Sequence, residues 1–338
     1  MPGSVEQKTE ESASVTVISI GGTIAMTPVE AGDGVAPSLS AADLLREVPG
    51  LDGVAQLSAV EFQRLPGAHL ELATVIELAR RIERELEDGA GVVVTQGTDT
   101  LEEVAYALDL LLRPQRPVVV TGAMRNPSVL SPDGPANLSA AVRVAASSEA
   151  AGAGVLVVMD DEIHSARLVQ KSHPSGLGAF SSSPGSIGWL CEGRVSIVLR
   201  PVAHTHIALP SGRDPAPVAL LTGSLGDDGR LLDGLADAGF AGVVIEALGG
   251  GHLPAPMAER AGALVERMPV VFSTRVGSGE VLRETYDFPG SEVDLIRRGL
   301  IPAGALDGPK ARILLTLSLL AGHDRDQIRS RFAGLMPP

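Results

Sequence analysis

Short apolar, β-branched runs alternate with helical stripes along this chain, and that alternation limits its fold more than any other feature. Val15–Ile20, Gly91–Gln96, Pro117–Thr121 and Gly154–Asp160 read as buried strands. Between them, Leu72, Val75, Ile76, Ala79, Ile82 and Leu86 lie on one face of a helix, as do Leu101, Val104, Ala105, Leu108, Leu111 and Leu112. Ser40, with Asp43 three residues on, predicts a capped helix over Ala41–Val48. Another helix is expected over Ala136–Ser148. Alternation of this kind predicts an α/β fold: a larger N-terminal, doubly wound, mostly parallel sheet domain, followed by a smaller C-terminal α/β domain. In the second half, Val218–Thr222, Gly242–Glu246 and Val270–Ser273 read as strands. Leu231–Ala238, Met257–Glu266, Lys310–Leu320 and Asp324–Phe332 read as helices. Pro174–Trp189 is rich in Ser, Gly and Pro and reads as loop. The expected divisions are a polar, disordered tail at 1–14, a domain at 15–200, a Pro-rich linker at 201–217 and a domain at 218–338.

The charge balance narrows the partners. With 41 acidic against 27 basic residues the chain carries a net charge of −14, and no basic cluster interrupts it. Such a surface repels phosphate backbones and anionic lipid, so nucleic acid and membrane are not expected partners. The longest apolar runs fall far short of the roughly 18–20 residues that a membrane helix needs. No basic, apolar leader is visible, and the lone cysteine, Cys191, rules out a disulfide framework and reads as structural. These features predict a cytoplasmic protein acting on a small molecule.

Lysine is scarce. It occurs only at Lys8, Lys171 and Lys310, and every other basic residue is Arg. A chain that uses Arg for plain positive charge keeps Lys where a titratable amine matters. Lys8 falls in the tail, and Lys310 opens an apolar helix and is expected at the surface. Lys171 is the candidate for chemistry.

In open α/β sheets, ligands bind beyond the carboxyl ends of the strands. Here those ends carry Gly21-Gly22-Thr23, Gly97-Thr98-Asp99-Thr100, Gly122-Ala123-Met124-Arg125, and an acidic turn followed by Lys171. Each piece has an ordinary reading as a tight turn, a helix cap or a solvated charge. Together they supply two hydroxyls, a carboxylate, an amine and turn N–H groups, the parts needed for acyl transfer. Other motifs carry less. His204-Thr205-His206 reads as surface, Asp160-Asp161-Glu162 with His164 as a solvated turn, and Gly249-Gly250-Gly251 lacks dinucleotide-binding spacing. The chain has no G-x-S-x-G elbow.

Ile18–Ala25 and Gly91–Glu103, with Gln96-Gly97-Thr98-Asp99-Thr100 inside the second, resemble the two signature segments of bacterial-type L-asparaginases. Val120–Arg125, Pro132–Leu138, Val169–Ser172 and Gly304–Arg312 are similar to further segments of that family, in the same order. The resemblance implies an amidohydrolase that converts L-asparagine to L-aspartate and ammonia, with possible side activity on L-glutamine, no metal or organic cofactor, and a homo-oligomeric assembly. It implies Thr23 as nucleophile and Thr98 as second catalytic Thr, with Lys171 as its base partner. Asp99 would hold the substrate ammonium, and Glu292 would reach it from a neighbouring subunit. The family's substrate-binding Ser falls at Gly67-Ala68, where backbone N–H groups would take the substrate carboxylate. Met26–Ser38 holds no Tyr where members often carry a lid Tyr, and Gln96 stands where many have His. These departures motivate an alternative, a non-catalytic amino-acid sensor. The related amidotransferase subunit is disfavoured by the acidic charge and by the lack of an RNA-facing segment.

Overall fold

The computed structural model describes residues 13–29, 34–200, 205–208 and 212–334. Residues 1–12 of the expected tail, with Lys8, lie outside the described residues, as does His204 of the His-Thr-His motif.

The first domain begins with β1 (Ser14–Gly21), a hairpin of β2 (Met26–Pro28) and β3 (Val35–Pro37), helix α1 (Ala41–Arg46) and β4 (Gln56–Leu65). The alternation continues through α2 (Leu72–Glu87), β5 (Gly91–Thr95), α3 (Leu101–Leu111), β6 (Val118–Thr121), α4 (Gly134–Ala146) and β7 (Val155–Met159). β8 (Glu162–Ser165), a ribbon of β9 (Val169–Lys171) and β10 (Phe180–Ser182), β11 (Gly188–Cys191) and β12 (Arg194–Ile197) complete it. The main sheet has eight strands in the order β12-β11-β8-β7-β6-β5-β1-β4. It is parallel from β4 to β7 and antiparallel beyond.

Strand period sorts the core into two layers. Ile18, Ile20, Val92, Val94, Val118, Val120, Val155 and Val157 face α2 and α3. The intervening Val15, Val17, Val93, Val119, Leu156 and Val158 face α1 and α4. With both faces covered, the strands read as continuous apolar runs, which is why they were legible.

The second domain is a four-stranded parallel sheet, β13 (Val218–Thr222), β14 (Gly242–Ala247), β15 (Val270–Thr274) and β16 (Ile301–Pro302). Its helices are α5 (Ala255–Leu264), α6 (Glu292–Arg297), α7 (Gly308–Leu320) and α8 (Arg325–Ala333). Leu314, Leu315 and Leu317 of α7 join the same apolar cluster as α3. Helix α3 is thus buried between its own sheet and the second domain. This continuity makes the two domains one packed unit around α3 and α7.

Several local expectations change. Leu231–Ala238 forms no α-helix: only a 3₁₀ turn, Arg230–Leu232, is present, and Leu231 is exposed. Gly234 has φ of 81°, which breaks the helical path. Pro174–Trp189 is not all loop, since it contains β10 and the start of β11. The edge strand β4 had no sequence signature, because much of it is solvent-exposed and its apolar alternation is weak. Asp160 and Asp161 both adopt left-handed conformations, φ 53° and 60°, as the two-residue turn joining β7 to β8. Cys191 is exposed rather than packed. Ser40 and Asp43 do form the expected capping box, but the helix ends at Arg46. Among the described residues no helix is long and apolar enough to cross a membrane.

Candidate active site

The chain runs from β1 to β4 on one side, then to β5 on the other, so the strand order reverses at β1. In open α/β sheets such a reversal is where ligands bind, beyond the carboxyl ends of the strands. The turns beyond β1, β4 and β5 nest against one another. A Cβ on Gly22 would sit 2.0 Å from the Gly97 nitrogen, and one on Gly97 would sit 2.8 Å from the Gly67 nitrogen. Gly22 also has φ of 84°, so this approach needs glycine on both counts. Thr23, Ala68 and Thr98 each follow one of these glycines, so the nested turns deliver them to one place. Thr23 opens a 3₁₀ turn and is half-buried. Thr100 Oγ1 donates to the Gly67 carbonyl at 2.9 Å and ties the second and third turns together.

Lys171 comes to this rim from the β9 ribbon. Its Nζ donates to Thr98 Oγ1 at 3.0 Å and lies 3.2 Å from Asp99 Oδ1. Thr98 is 5% exposed, whereas Asp99 stands largely in solvent. Behind Thr98, Gly122 leaves room for it, since a Cβ there would fall 3.2 Å from Thr98 Cγ2. Asn137 Nδ2 donates to the Gly122 carbonyl at 3.1 Å, and Asp133 accepts the Met124 and Arg125 N–H groups at 2.9 and 2.8 Å. The Pro132–Leu138 segment therefore braces the third rim loop.

One residue given no role in the sequence, Glu102, and one expected at the surface, Lys310, hold the segment that carries Lys171. Glu102, in the first turn of α3, accepts the Lys171 N–H at 2.6 Å. Burial raises the Glu102 carboxyl pKa against the pull of the Lys310 charge. Lys310 is not at the surface, as its helix-opening position suggested, but 1% exposed. Its Nζ donates to the Val169 carbonyl at 2.6 Å, two residues before Lys171. Lysine scarcity was the signal available for it. Both described lysines converge on this corner.

Glu292 stands elsewhere. It is fully buried within its own chain, where Oε1 accepts the Thr285 and Tyr286 N–H groups at 2.8 and 2.6 Å. Oε2 lies 3.0 Å from His252 Nε2, and the His252 ring packs edge-on against Tyr286 and Phe288. Burial raises the Glu292 carboxyl pKa, but hydrogen bonds from Tyr286, its own N–H, Thr285 and His252 outweigh it and leave the pKa lowered. Thr23, Thr98, Asp99, Lys171, Gly67 and Ala68 gather on one rim, and Glu292 does not join them within one chain. Gln96 is buried, with Nε2 donating to the Gly97 carbonyl at 3.3 Å. His164 is buried behind the ribbon, its Nδ1 2.9 Å from Ser182 Oγ, and burial lowers its pKa to about 4. Among the described residues no cluster of three or more His, Cys, Asp or Glu is placed to hold a metal ion.

Two family models match this chain: "Asparaginase, N-terminal" over residues 14–203 and "Glutaminase/Asparaginase C-terminal domain" over residues 217–332. The chain belongs to the asparaginase family. An L-asparaginase of Bacillus licheniformis is 36% identical over 326 residues, covering 94% of this chain and 98% of that protein. A probable L-asparaginase of Deinococcus radiodurans is 38% identical over 325 residues, covering 94% and 96%. The crystal structure of a probable cytoplasmic L-asparaginase from Campylobacter jejuni superposes with a TM-score of 0.85 at 30% identity, covering 95% of this chain and 99% of that one. In this asparaginase-family chain, then, the nested glycine turns and the Thr98–Lys171 contact belong to a fold shared along nearly its whole length.

Proposed function

We propose that this protein hydrolyses L-asparagine to L-aspartate and ammonia at the rim between β1 and β5. Family membership and full-length relatives named L-asparaginase support the reaction. The observation that carries the site is the Lys171 amine, 3.0 Å from Thr98 Oγ1, on a turn nested against the one that bears Thr23.

In this reading Asp99 holds the substrate ammonium, and the N–H groups at Gly67-Ala68 take the α-carboxylate. The Thr23 hydroxyl attacks the side-chain amide carbon, and turn N–H groups face the oxyanion. The C–N bond breaks as the proton given up by the Thr23 hydroxyl passes to the nitrogen, which leaves as ammonia. Water then cleaves the Thr23 ester; its proton passes through Thr98 to the Lys171 amine, and Thr23 takes a proton back as its C–O bond breaks. Net, one amide and one water give one carboxylate and one ammonium ion. L-Glutamine, one methylene longer, is the natural side substrate.

Glu292 is buried on its own chain's N–H groups and His252, so it offers no surface carboxylate to a neighbouring copy; the working unit in this reading is a homo-oligomer, a dimer or a dimer of dimers. A cytoplasmic location fits the description of the Campylobacter neighbour. The test is ammonia release by purified protein. Turnover of asparagine above glutamine is expected, and calorimetric binding of asparagine with no ammonia from any amide would overturn the reading in favour of a sensor.

A further inference from the structure

Lys310 has no part in the chemistry above, yet its surroundings set it apart. Its Nζ donates to the Val169 carbonyl at 2.6 Å and to Asp307 Oδ2 at 2.7 Å, in a place that leaves the side chain 1% exposed. Asp307 caps α7 by accepting the Lys310 N–H on Oδ1 at 2.8 Å. Its Oδ2 also accepts Gln170 Nε2 at 2.8 Å. Val169 and Gln170 are the two residues before Lys171. The second domain thus holds the segment immediately ahead of the amine, while Glu102 of the first domain holds the Lys171 N–H.

The ribbon needs such anchors. β9 has three residues and pairs only with β10, opposing Phe180 to Lys171. A two-stranded ribbon is marginal by itself. A slip of one residue would turn Lys171 to the opposite face. An enclosed ammonium is costly unless it is paired and hydrogen-bonded, so its retention here, on a backbone carbonyl and a carboxylate, indicates a structural demand. That demand also explains a lysine in a chain that otherwise uses Arg, because a planar fork does not suit two acceptors in so small a space.

We propose that Lys310 and Asp307 are positioning residues for the hydrolysis. From the second domain they lock the register of Val169–Lys171 and keep the Lys171 amine within hydrogen-bond reach of Thr98. Neither touches a reacting atom. Turnover therefore depends on the first turn of α7 staying against the ribbon. This rests on the function proposed above.

Steady-state asparagine hydrolysis by the full chain tests it, comparing wild type with Lys310→Met, Gln170→Met and Leu317→Ala. Lys310→Met is expected to lower kcat about 10- to 100-fold with KM within about twofold, since a displaced base slows proton transfer and leaves substrate contacts intact. Gln170→Met keeps the Lys310–Asp307 pair and removes one tether, for a fall of about three- to tenfold in kcat. Leu317→Ala, a cavity further along the same helix, is expected to lower the thermal midpoint and keep kcat within about twofold. A folded Lys310→Met with wild-type kcat overturns the proposal, and so does an equal loss in Leu317→Ala. If Lys310→Met does not fold, wild-type kcat in Gln170→Met overturns it. A wild type that releases no ammonia overturns the function and this inference together; an active wild type with an unaffected Lys310→Met overturns the inference alone.

Discussion

The parallel strands of both sheets carry threonines at their carboxyl ends, but the hydroxyls are engaged differently. In the second domain Thr222 Oγ1 donates to Glu246 Oε2 and Thr274 Oγ1 to the Gly249 carbonyl, each at 2.6 Å. Those protons are committed to holding the rim together. In the first domain Thr98 Oγ1 accepts from the Lys171 amine at 3.0 Å, which leaves its own proton available. Residue type and the strands' carboxyl ends are alike; the partner differs. A threonine at a strand end becomes a candidate for proton transfer only when another segment brings an amine to it.

The comparison breaks most visibly at the amine. Lys171→Met or Thr23→Ala is expected to cut kcat for asparagine by about 10²–10⁴ or more with the fold retained. Thr274→Ala, on the second rim, should leave kcat within about threefold and cost only about 1 kcal/mol in a denaturant titration. Equal losses from the two rims would erase the distinction.

Gly22→Ala probes the nested turns. A Cβ there lies 2.0 Å from Gly97 backbone, so the turns must part. We expect a loss of at least about 3 kcal/mol of stability together with most of the turnover, read by thermal melting and ammonia release. Wild-type behaviour would mean that close approach of these turns is not what assembles the site.

The smallest effect on turnover concerns His164, on the antiparallel side of the large sheet. Burial lowers its pKa to about 4 from 6.5. Between about pH 6.5 and pH 4 the unfolded chain binds a proton there and the folded chain does not, so stability falls as pH drops through that window. His164→Asn should flatten that part of the stability–pH curve by at most about 3 kcal/mol while leaving neutral-pH turnover within about twofold. An unchanged curve would show that the histidine already protonates in the fold.

The legible parts of the chain were those where neighbours in sequence settle the outcome. Val92–Val94 and Val118–Val120 are buried on both faces, so their apolar runs mark central strands whatever surrounds them. Ser40 with Asp43 caps its own helix. The glycine turns preceding Thr23 and Thr98 and the isolated Lys171 pointed to a site because strand ends and scarce amines carry local signals. Gln56–Leu65 showed none, since an edge strand half in water needs little apolar alternation. Leu231–Ala238 showed a false one, because a stripe of apolar residues is not a helix when glycine turns the chain and Leu231 stays exposed.

By itself the sequence determined two covered, mostly parallel sheets, the turns at their ends and the residue types available for amide chemistry. These follow from side-chain period and backbone freedom, which act over a few residues. Only the tertiary structure decided that Gly22, Gly67 and Gly97 touch, that Lys171 meets Thr98 across 73 residues of chain, that Glu292 is enclosed in its own domain, and that Lys310 is buried behind the ribbon. Those contacts depend on how separate elements pack, and α7 reaches the ribbon only because it shares a core with α3.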